Sequence, residues 1–189
     1  MKYTKTNIPD VLILEPVVFK DSRGYFMEVY RQTELEQHIS NIHFVQENES
    51  CSKKGVLRGL HYQLEPYAQA KLVRVIQGAV LDVAVDIRHG SPTFGQYIAV
   101  ELSAENKYQL FIPKGFAHGF RVLSDAVIFT YKVDNPYNPA SERGIKYDDP
   151  AIGINWQIGK DDVIVLSDKD KKLPPLQNAE INFNYSTKQ

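Results

Sequence analysis

The chain has a single cysteine, Cys51, among its 189 residues, and that scarcity closes two routes at once. One thiol cannot form an internal disulfide, nor can it build the multi-cysteine shell of a structural zinc site. Neither sign of charge is in excess: 22 Lys and Arg stand against 23 Asp and Glu, well mixed along the chain. Without a basic stripe there is no electrostatic footprint for bulk nucleic-acid binding. No apolar run approaches bilayer-spanning length, and Met1 to Asp10 is polar with no signal core, so no membrane partner is expected. A Gly-rich phosphate loop is also missing, so any phosphate must be held by side chains. Repeats and low-complexity linkers are absent, which leaves one domain over residues 1–189 as the expectation. A soluble, cytoplasmic protein is the simplest reading of this set.

What is present is a series of short β-branched and aromatic segments separated by turn residues. An apolar content of 43% is enough for a real core. Val11 to Phe19 reads as a strand closed by the turn Asp21-Ser22-Arg23-Gly24, and Tyr25 to Tyr30 as the next. Further strands are expected at 55–63, 71–76, 78–87, 96–102, 108–112, 116–122 and 126–133. Thr33 to Ile39 is the one fair helix candidate. After Asn135 the chain turns irregular, punctuated by Pro136, Pro139, Pro150, Pro174 and Pro175. Many evenly spaced strands and little helix predict an all-β sandwich or jelly roll with an irregular C-terminal segment.

Two strings concentrate the chemistry: Arg58-Gly59-Leu60-His61-Tyr62-Gln63 and Ile112-Pro113-Lys114-Gly115-Phe116-Ala117-His118-Gly119-Phe120. The second contains Pro-x-Gly-x-x-His, typical of the cupin jelly roll (a double-stranded β-helix). The first lies where a metal-binding cupin carries His-x-His and, downstream, a Glu six residues before a Gly. Here those places hold Gln63 and Lys71, and an ammonium has no lone pair to give a cation. No metal and no cofactor is therefore expected. Side-chain alternation puts His61 with Gln63, Lys71 with Val73, His118 with Phe120, and Phe129 with Tyr131. Arg58 has the wrong parity to join His61 unless Gly59 hosts a bulge. Taken singly, His61 reads as a core histidine, Lys71 as a surface lysine, Arg23-Gly24 as a turn, and His38, His43 and His89 as loop residues. Asp82, on an apolar strand, stands as a candidate to orient His61.

The strings, in order and spacing, closely resemble the dTDP-4-dehydrorhamnose 3,5-epimerase family, metal-free cupin-fold isomerases of deoxysugar biosynthesis. Matching pieces also include Phe19-x-Asp21-x-Arg23-Gly24-x-Phe26, Phe44-Val45-Gln46-Glu47-Asn48, Asp82 to Arg88, Tyr131-Lys132, Tyr137-x-Pro139 and Ser167-Asp168-Lys169-Asp170. The resemblance implies epimerisation at C3 and C5 of a dTDP-linked 4-keto-6-deoxy sugar. It implies His61 as general base, Asp170 as its orienting carboxylate, Tyr131 as proton donor on the far face, and Lys71 beside the enolate oxygen. It assigns ligand contacts to Arg23, Phe26, Glu28, Gln46, Asn48, Arg58, His118, Tyr137, Glu142 and Lys169. It also implies a homodimer in which Arg23 and its neighbours reach the other subunit's site, and a place in cytoplasmic lipopolysaccharide or O-antigen biosynthesis.

One position departs from the family pattern. Many members carry two adjacent tyrosines where this chain has Pro136 and Tyr137. Proline stiffens the loop and leaves the tyrosine assigned to sugar contact in place. Relatives that epimerise one carbon, or isomerise the ketone, share this scaffold, as do metal-dependent and non-catalytic sugar-binding cupins. The sequence leaves the choice among them open.

Overall fold

The computed structural model describes residues 1–186. In chain order the strands are β1 (Lys2–Lys5), β2 (Leu12–Glu15), β3 (Val18–Asp21) and β4 (Gly24–Met27). A one-turn helix, α1 (Gln32–Leu35), precedes β5 (Gln46–Lys53), β6 (Leu57–Gln63), β7 (Lys71–Gln77) and β8 (Ala79–Asp86). The rest are β9 (Tyr97–Ser103), β10 (Gln109–Ile112), β11 (Phe116–Val122), β12 (Ala126–Val133) and β13 (Glu142–Gly144). Two 3₁₀ turns, Asp170–Lys172 and Leu176–Asn178, follow. The strands form a six-stranded sheet, β1-β2-β10-β7-β12-β5, facing a five-stranded sheet, β13-β6-β11-β8-β9. This is the all-β jelly roll that the strand spacing predicts, of the cupin type that the Pro-x-Gly-x-x-His string and the family resemblance imply. No helix is long and apolar enough to cross a membrane among the described residues.

Alternation decides what each sheet buries. Val73, Val75, Val80, Ala84, Phe120, Val122, Val127 and Phe129 meet between the sheets, where Phe120 and Phe129 stack at 4.3 Å. Burying a side chain of that size contributes roughly 1.5–3 kcal/mol. The intervening residues of the five-stranded sheet, Leu57, Leu60, Tyr62, Leu81, Val83 and Val85, face outward. Ile152, Trp156 and Phe183 of the C-terminal segment cover them. Arg121 clamps that segment, donating to the Trp156 carbonyl at 2.8 Å and the Asp162 carboxylate at 2.5 Å. The segment therefore covers the outer face of the sheet, and only the stretch from Ser167 to Leu173 turns round the β13 edge toward His61.

Three departures from the sequence reading have physical causes. The strand expected over Val11 to Phe19 is split at Pro16, which lacks the N–H a ladder needs. The helix expected over Thr33 to Ile39 shrinks to four residues, with no side chain capping its start. Strand β5 carries no apolar alternation and escaped the pattern: it is an edge strand whose alternate positions Gln46, Asn48, Ser50 and Ser52 face inward. Strands β1 and β13 are short edges without apolar periodicity and were equally silent.

The register of β6 on β11 supplies the bulge that Arg58 requires. His118 pairs with His61 and Phe120 with Arg58, so three steps on β6 match two on β11. The extra residue resets the alternation: Leu57 and Leu60 both pack outward, while Arg58 and His61 share the inner side. Gly59 has φ +118°, and a Cβ there would lie 2.6 Å from the Gly119 Cα. A Cβ on Gly119 would lie 2.6 Å from the Arg58 carbonyl oxygen. Gly119→Ala is therefore expected to destabilise the fold by about 1–3 kcal/mol, the usual cost of overpacking. Chemical denaturation measures this, and a change under about 0.5 kcal/mol, the range of neutral surface substitutions, would show that the strands part freely.

Candidate active site

His61 projects from β6 into the space between the sheets, and its Nε2 meets Asp170 Oδ1 at 2.5 Å. Asp170 is buried, which by itself raises a carboxyl pKa. The hydrogen bond and charge of His61, with the Ser167 hydroxyl and the Gly59 N–H, outweigh burial and hold it below its ordinary value. A carboxylate so placed accepts a hydrogen bond from Nε2–H and favours the tautomer in which Nδ1 carries the lone pair. The choice between Asp170 and Asp82 is resolved by distance. Asp82 is fully buried on β8 and holds His118 Nε2 at 2.9 and 3.1 Å. His118 and His61 are register partners on adjacent strands, so two imidazole–carboxylate pairs lie side by side. Burial, and secondarily the charges of Lys71 and His61, keep the His118 pKa below its ordinary value despite Asp82.

The facing sheet supplies the other two groups. Lys71 opens β7 and Tyr131 lies on β12, with the ammonium 5.9 Å from the phenol ring centroid. Desolvation pushes the Lys71 pKa down to about 8, with Asp82 and Glu142 pulling the other way. Burial raises the Tyr131 pKa, while Arg58 and Asn48 moderate the rise. Imidazoles on one sheet thus confront a phenol and an ammonium on the other. That division comes from alternation within strands that the topology places opposite each other, and it is suited to moving a proton on each side of a flat intermediate.

A polar rim surrounds the opening. Arg58 Nε donates to Ser52 Oγ at 3.0 Å, so the β6 guanidinium is anchored on the opposite sheet. Gln46 donates to Asn48 Oδ1 at 2.8 Å and accepts the Tyr137 N–H at 3.1 Å. The Tyr137 hydroxyl donates to Glu142 Oε2 at 2.7 Å, and Lys169 forms an ion pair with the same carboxylate. Burial of Glu142 favours its neutral form, yet these bonds and the nearby His61 hold its pKa below the ordinary value. Gln63, at the position of a cupin metal ligand, spends its amide on the loop around Pro136 instead. Among the described residues no three His, Cys, Asp or Glu side chains gather to hold a metal. A surface cleft of about 730 Å³ lies on the outer face of the six-stranded sheet and contains none of these groups.

Three of the expected contact residues do not reach this pocket within their own chain. Arg23, Phe26 and Glu28 belong to the β3–β4 hairpin and the residues just after it, and that hairpin pairs with neither sheet. Arg23 pairs with Asp21 at 2.6 Å, Glu28 with Arg31 at 2.7 Å, and Phe26 is 70% exposed. Ser52 is the site residue that the sequence reading missed. Its signal was the polar i, i+2 spacing of Gln46, Asn48, Ser50 and Ser52, which an apolar search passes over.

A profile of the family described as dTDP-4-dehydrorhamnose 3,5-epimerase matches residues 5–178. The dTDP-4-dehydrorhamnose 3,5-epimerase of Shigella flexneri is 58% identical over 171 residues, 90% of this chain and 93% of its own. Among solved structures, dTDP-6-deoxy-D-glucose-3,5-epimerase RmlC of Legionella pneumophila, in complex with dTDP-4-keto-L-rhamnose, superposes with a TM-score of 0.94. That structure is 46% identical and the match covers 98% of this chain and 99% of the other. ChmJ, a 3′-monoepimerase of Streptomyces bikiniensis in complex with dTDP-quinovose, is 34% identical with a TM-score of 0.85, covering 92% and 87%. The profile match and these identities place the chain in the dTDP-4-dehydrorhamnose 3,5-epimerase family.

Proposed function

We propose that this chain inverts C3 and C5 of dTDP-4-dehydro-6-deoxy-D-glucose to give dTDP-4-dehydro-L-rhamnose. The observation that carries this reading is His61 with its buried Asp170 on one sheet, opposed by Tyr131 and Lys71 on the other. The C4 ketone acidifies the hydrogens on its neighbouring carbons. His61 removes one as a proton through Nδ1, the C–H electron pair forms a C=C bond, and the carbonyl electrons move to oxygen as an enolate. The Lys71 ammonium stabilises that oxygen, and a fixed charge in a desolvated site needs no reorganisation to do so. Tyr131 returns a proton to the carbon from the opposite side. As the ketone re-forms, His61 gives its proton to solvent and Tyr131 regains one, and repetition at the second carbon completes a reaction that consumes nothing, so neither metal nor cofactor is invoked.

Binding is assigned to the rim. Arg58, His118, Gln46, Asn48, Tyr137, Glu142 and Lys169 are proposed to hold the sugar and its diphosphate; guanidinium and ammonium groups suit phosphate oxygens. The exposed hairpin bearing Arg23 and Phe26, with Glu28 beyond it, is proposed to complete the site of a second subunit in a homodimer. Phe19, Tyr25 and Phe26 leave a broad apolar surface on that hairpin, at 63%, 56% and 70% exposure. We infer cytoplasmic action, supplying a rhamnose-type nucleotide sugar for lipopolysaccharide or O-antigen synthesis.

Incubation with the 4-keto-6-deoxy nucleotide sugar in deuterium oxide tests the reading directly. Deuterium at C3 and C5 is expected, at a rate unaffected by exhaustive chelation. Label at one carbon would assign a single-carbon epimerase, no label a sugar-binding protein, and loss on chelation a metal-dependent cupin. His61→Ala is expected to reduce exchange and inversion together by about 10²–10⁴-fold, the usual cost of losing a general base. Tyr131→Phe is expected to keep exchange while losing inversion, because His61 can still return the proton to the face it came from. Equal loss of both in that variant would remove Tyr131 from the far-face role.

The depressed Lys71 pKa sets opposite pH dependences for activity and stability. Below about 8 the folded lysine is charged and available to the enolate; above it the charge is lost and the rate falls. For stability the sign reverses. Between about 8 and the ordinary 10.5 the unfolded chain binds the proton that the folded chain has released, so the lysine's contribution to stability rises with pH. Lys71→Met should lack that stability increment, and an unchanged alkaline stability profile in the variant would contradict it. Dimer exchange has its own measurement. Dilution below the dissociation constant, followed by sedimentation, should lower activity in step with the monomer fraction. A fully active monomer would refute the shared site.

A further inference from the structure

Tyr137 is 54% exposed, yet its N–H, its hydroxyl and both flanking residues are hydrogen-bonded. Gln63 does most of this work. It is 4% exposed and uses both ends of its amide on the loop that carries the tyrosine. Its Nε2 donates to the Pro136 carbonyl at 3.3 Å and to the Tyr67 carbonyl at 2.7 Å. Its Oε1 accepts the Asn138 N–H at 2.7 Å. The amide therefore grips the residue before Tyr137 and the residue after it. Gln46 takes the N–H of Tyr137 itself, and Glu142 takes its hydroxyl. Glu142 is also the register partner of Gln63 across β13 and β6, so both side chains rise on one face of the sheet. Asn135 and Gln69 tie the start of the same loop to the 66–69 segment, at 2.8 Å to the Ala68 carbonyl and 2.8 Å to the Asn135 carbonyl.

Packing alone does not ask for an amide here, because leucine is of similar volume and would bury more apolar surface. What leucine cannot do is bond to Pro136 and Asn138 at once. Gln63 also shares the inner side of β6 with His61, two residues away, so one rigid strand references the tyrosine to the imidazole. We propose that Gln63 is a positioning residue that sets where Tyr137 stands over the sugar, and thereby the balance of proton exchange between C3 and C5. This rests on the epimerase reading above. The chemistry requires such a device. Two carbons on either side of one ketone must present their hydrogens in turn to a single pair of groups, so the ring must be held in more than one pose. A tyrosine displaced by a fraction of an ångström changes the two poses unequally.

The test is the ratio of deuterium incorporated at C5 and C3 by Gln63→Leu and Gln63→Glu, measured with Tyr137→Phe and the double variants. Gln63→Glu keeps the acceptor for Asn138 and loses the donors, so it remains informative if Gln63→Leu fails to fold. The ratio is expected to shift about fivefold, the equivalent of one ordinary hydrogen bond. The shift is expected to vanish when Gln63 is changed in a Tyr137→Phe background, because the two act as one unit. An unchanged ratio in a folded variant, with both rates falling together, would reduce Gln63 to a structural role and overturn the proposal. So would shifts that simply add in the double variant. Absence of label in the unsubstituted protein would instead defeat the epimerase reading on which the proposal stands.

Discussion

The contact between Gly59 and Gly119 governs what the pocket can contain. Two backbones approach so closely that neither strand has room for a methyl group at that point. The approach accommodates the extra β6 residue, and that residue turns Arg58 to the side occupied by His61. A regular ladder would send one of the two into the layer beneath the C-terminal segment, which holds Leu57 and Leu60. One local irregularity thus lets a single short strand contribute an imidazole and a guanidinium to the same cavity. It is a common use of a bulge beside a functional site.

Around that strand the two sheets divide the labour. The five-stranded sheet carries both histidines, each tied to a buried carboxylate, and the six-stranded sheet carries Lys71 and Tyr131. Burial alone would strip these groups of charge; it drives Lys71 down to about 8 and opposes ionisation of Asp170. Pairing decides which survive as ions: Asp170 wins through His61, Ser167 and Gly59, whereas the His118 imidazole is kept neutral in spite of Asp82. The His118 imidazole then serves as a fixed hydrogen-bonding group beside the first pair. Groups with pKa values pushed apart in one partly buried site are the usual setting for proton transfer at neutral pH.

The site is also assembled from distant parts of the chain, and that explains where sequence patterns fail. Asp170 lies 109 residues beyond His61 and arrives on a segment with no periodicity of its own. The 3₁₀ turn bearing it is held because Trp156, Phe183 and their neighbours cover the outer face of the β6 sheet. Strand β5 was invisible for the opposite reason: its inner residues are polar because they line an opening instead of a core. Short edge strands and pocket-lining strands lack the apolar alternation on which pattern reading depends.

By itself the sequence determined the fold class, pointed to an interior lined by His61, Lys71, His118 and Tyr131, and put an amide and an ammonium, Gln63 and Lys71, where a metal-binding cupin carries ligands. Those follow from composition, from a side-chain period of two, and from the chemistry of an ammonium and an amide. It also contained the glycine that permits a bulge, without deciding that one forms. Tertiary structure decided the rest. It paired His61 with Asp170 and His118 with Asp82, although both aspartates were open to His61 on sequence grounds. It turned Gln63 from a lost ligand into the anchor of the Tyr137 loop, and it left the Arg23 hairpin outside its own pocket. The physical reason is the same in each case: alternation says which side of a strand a residue takes, but only packing between sheets and covering segments says what it meets there.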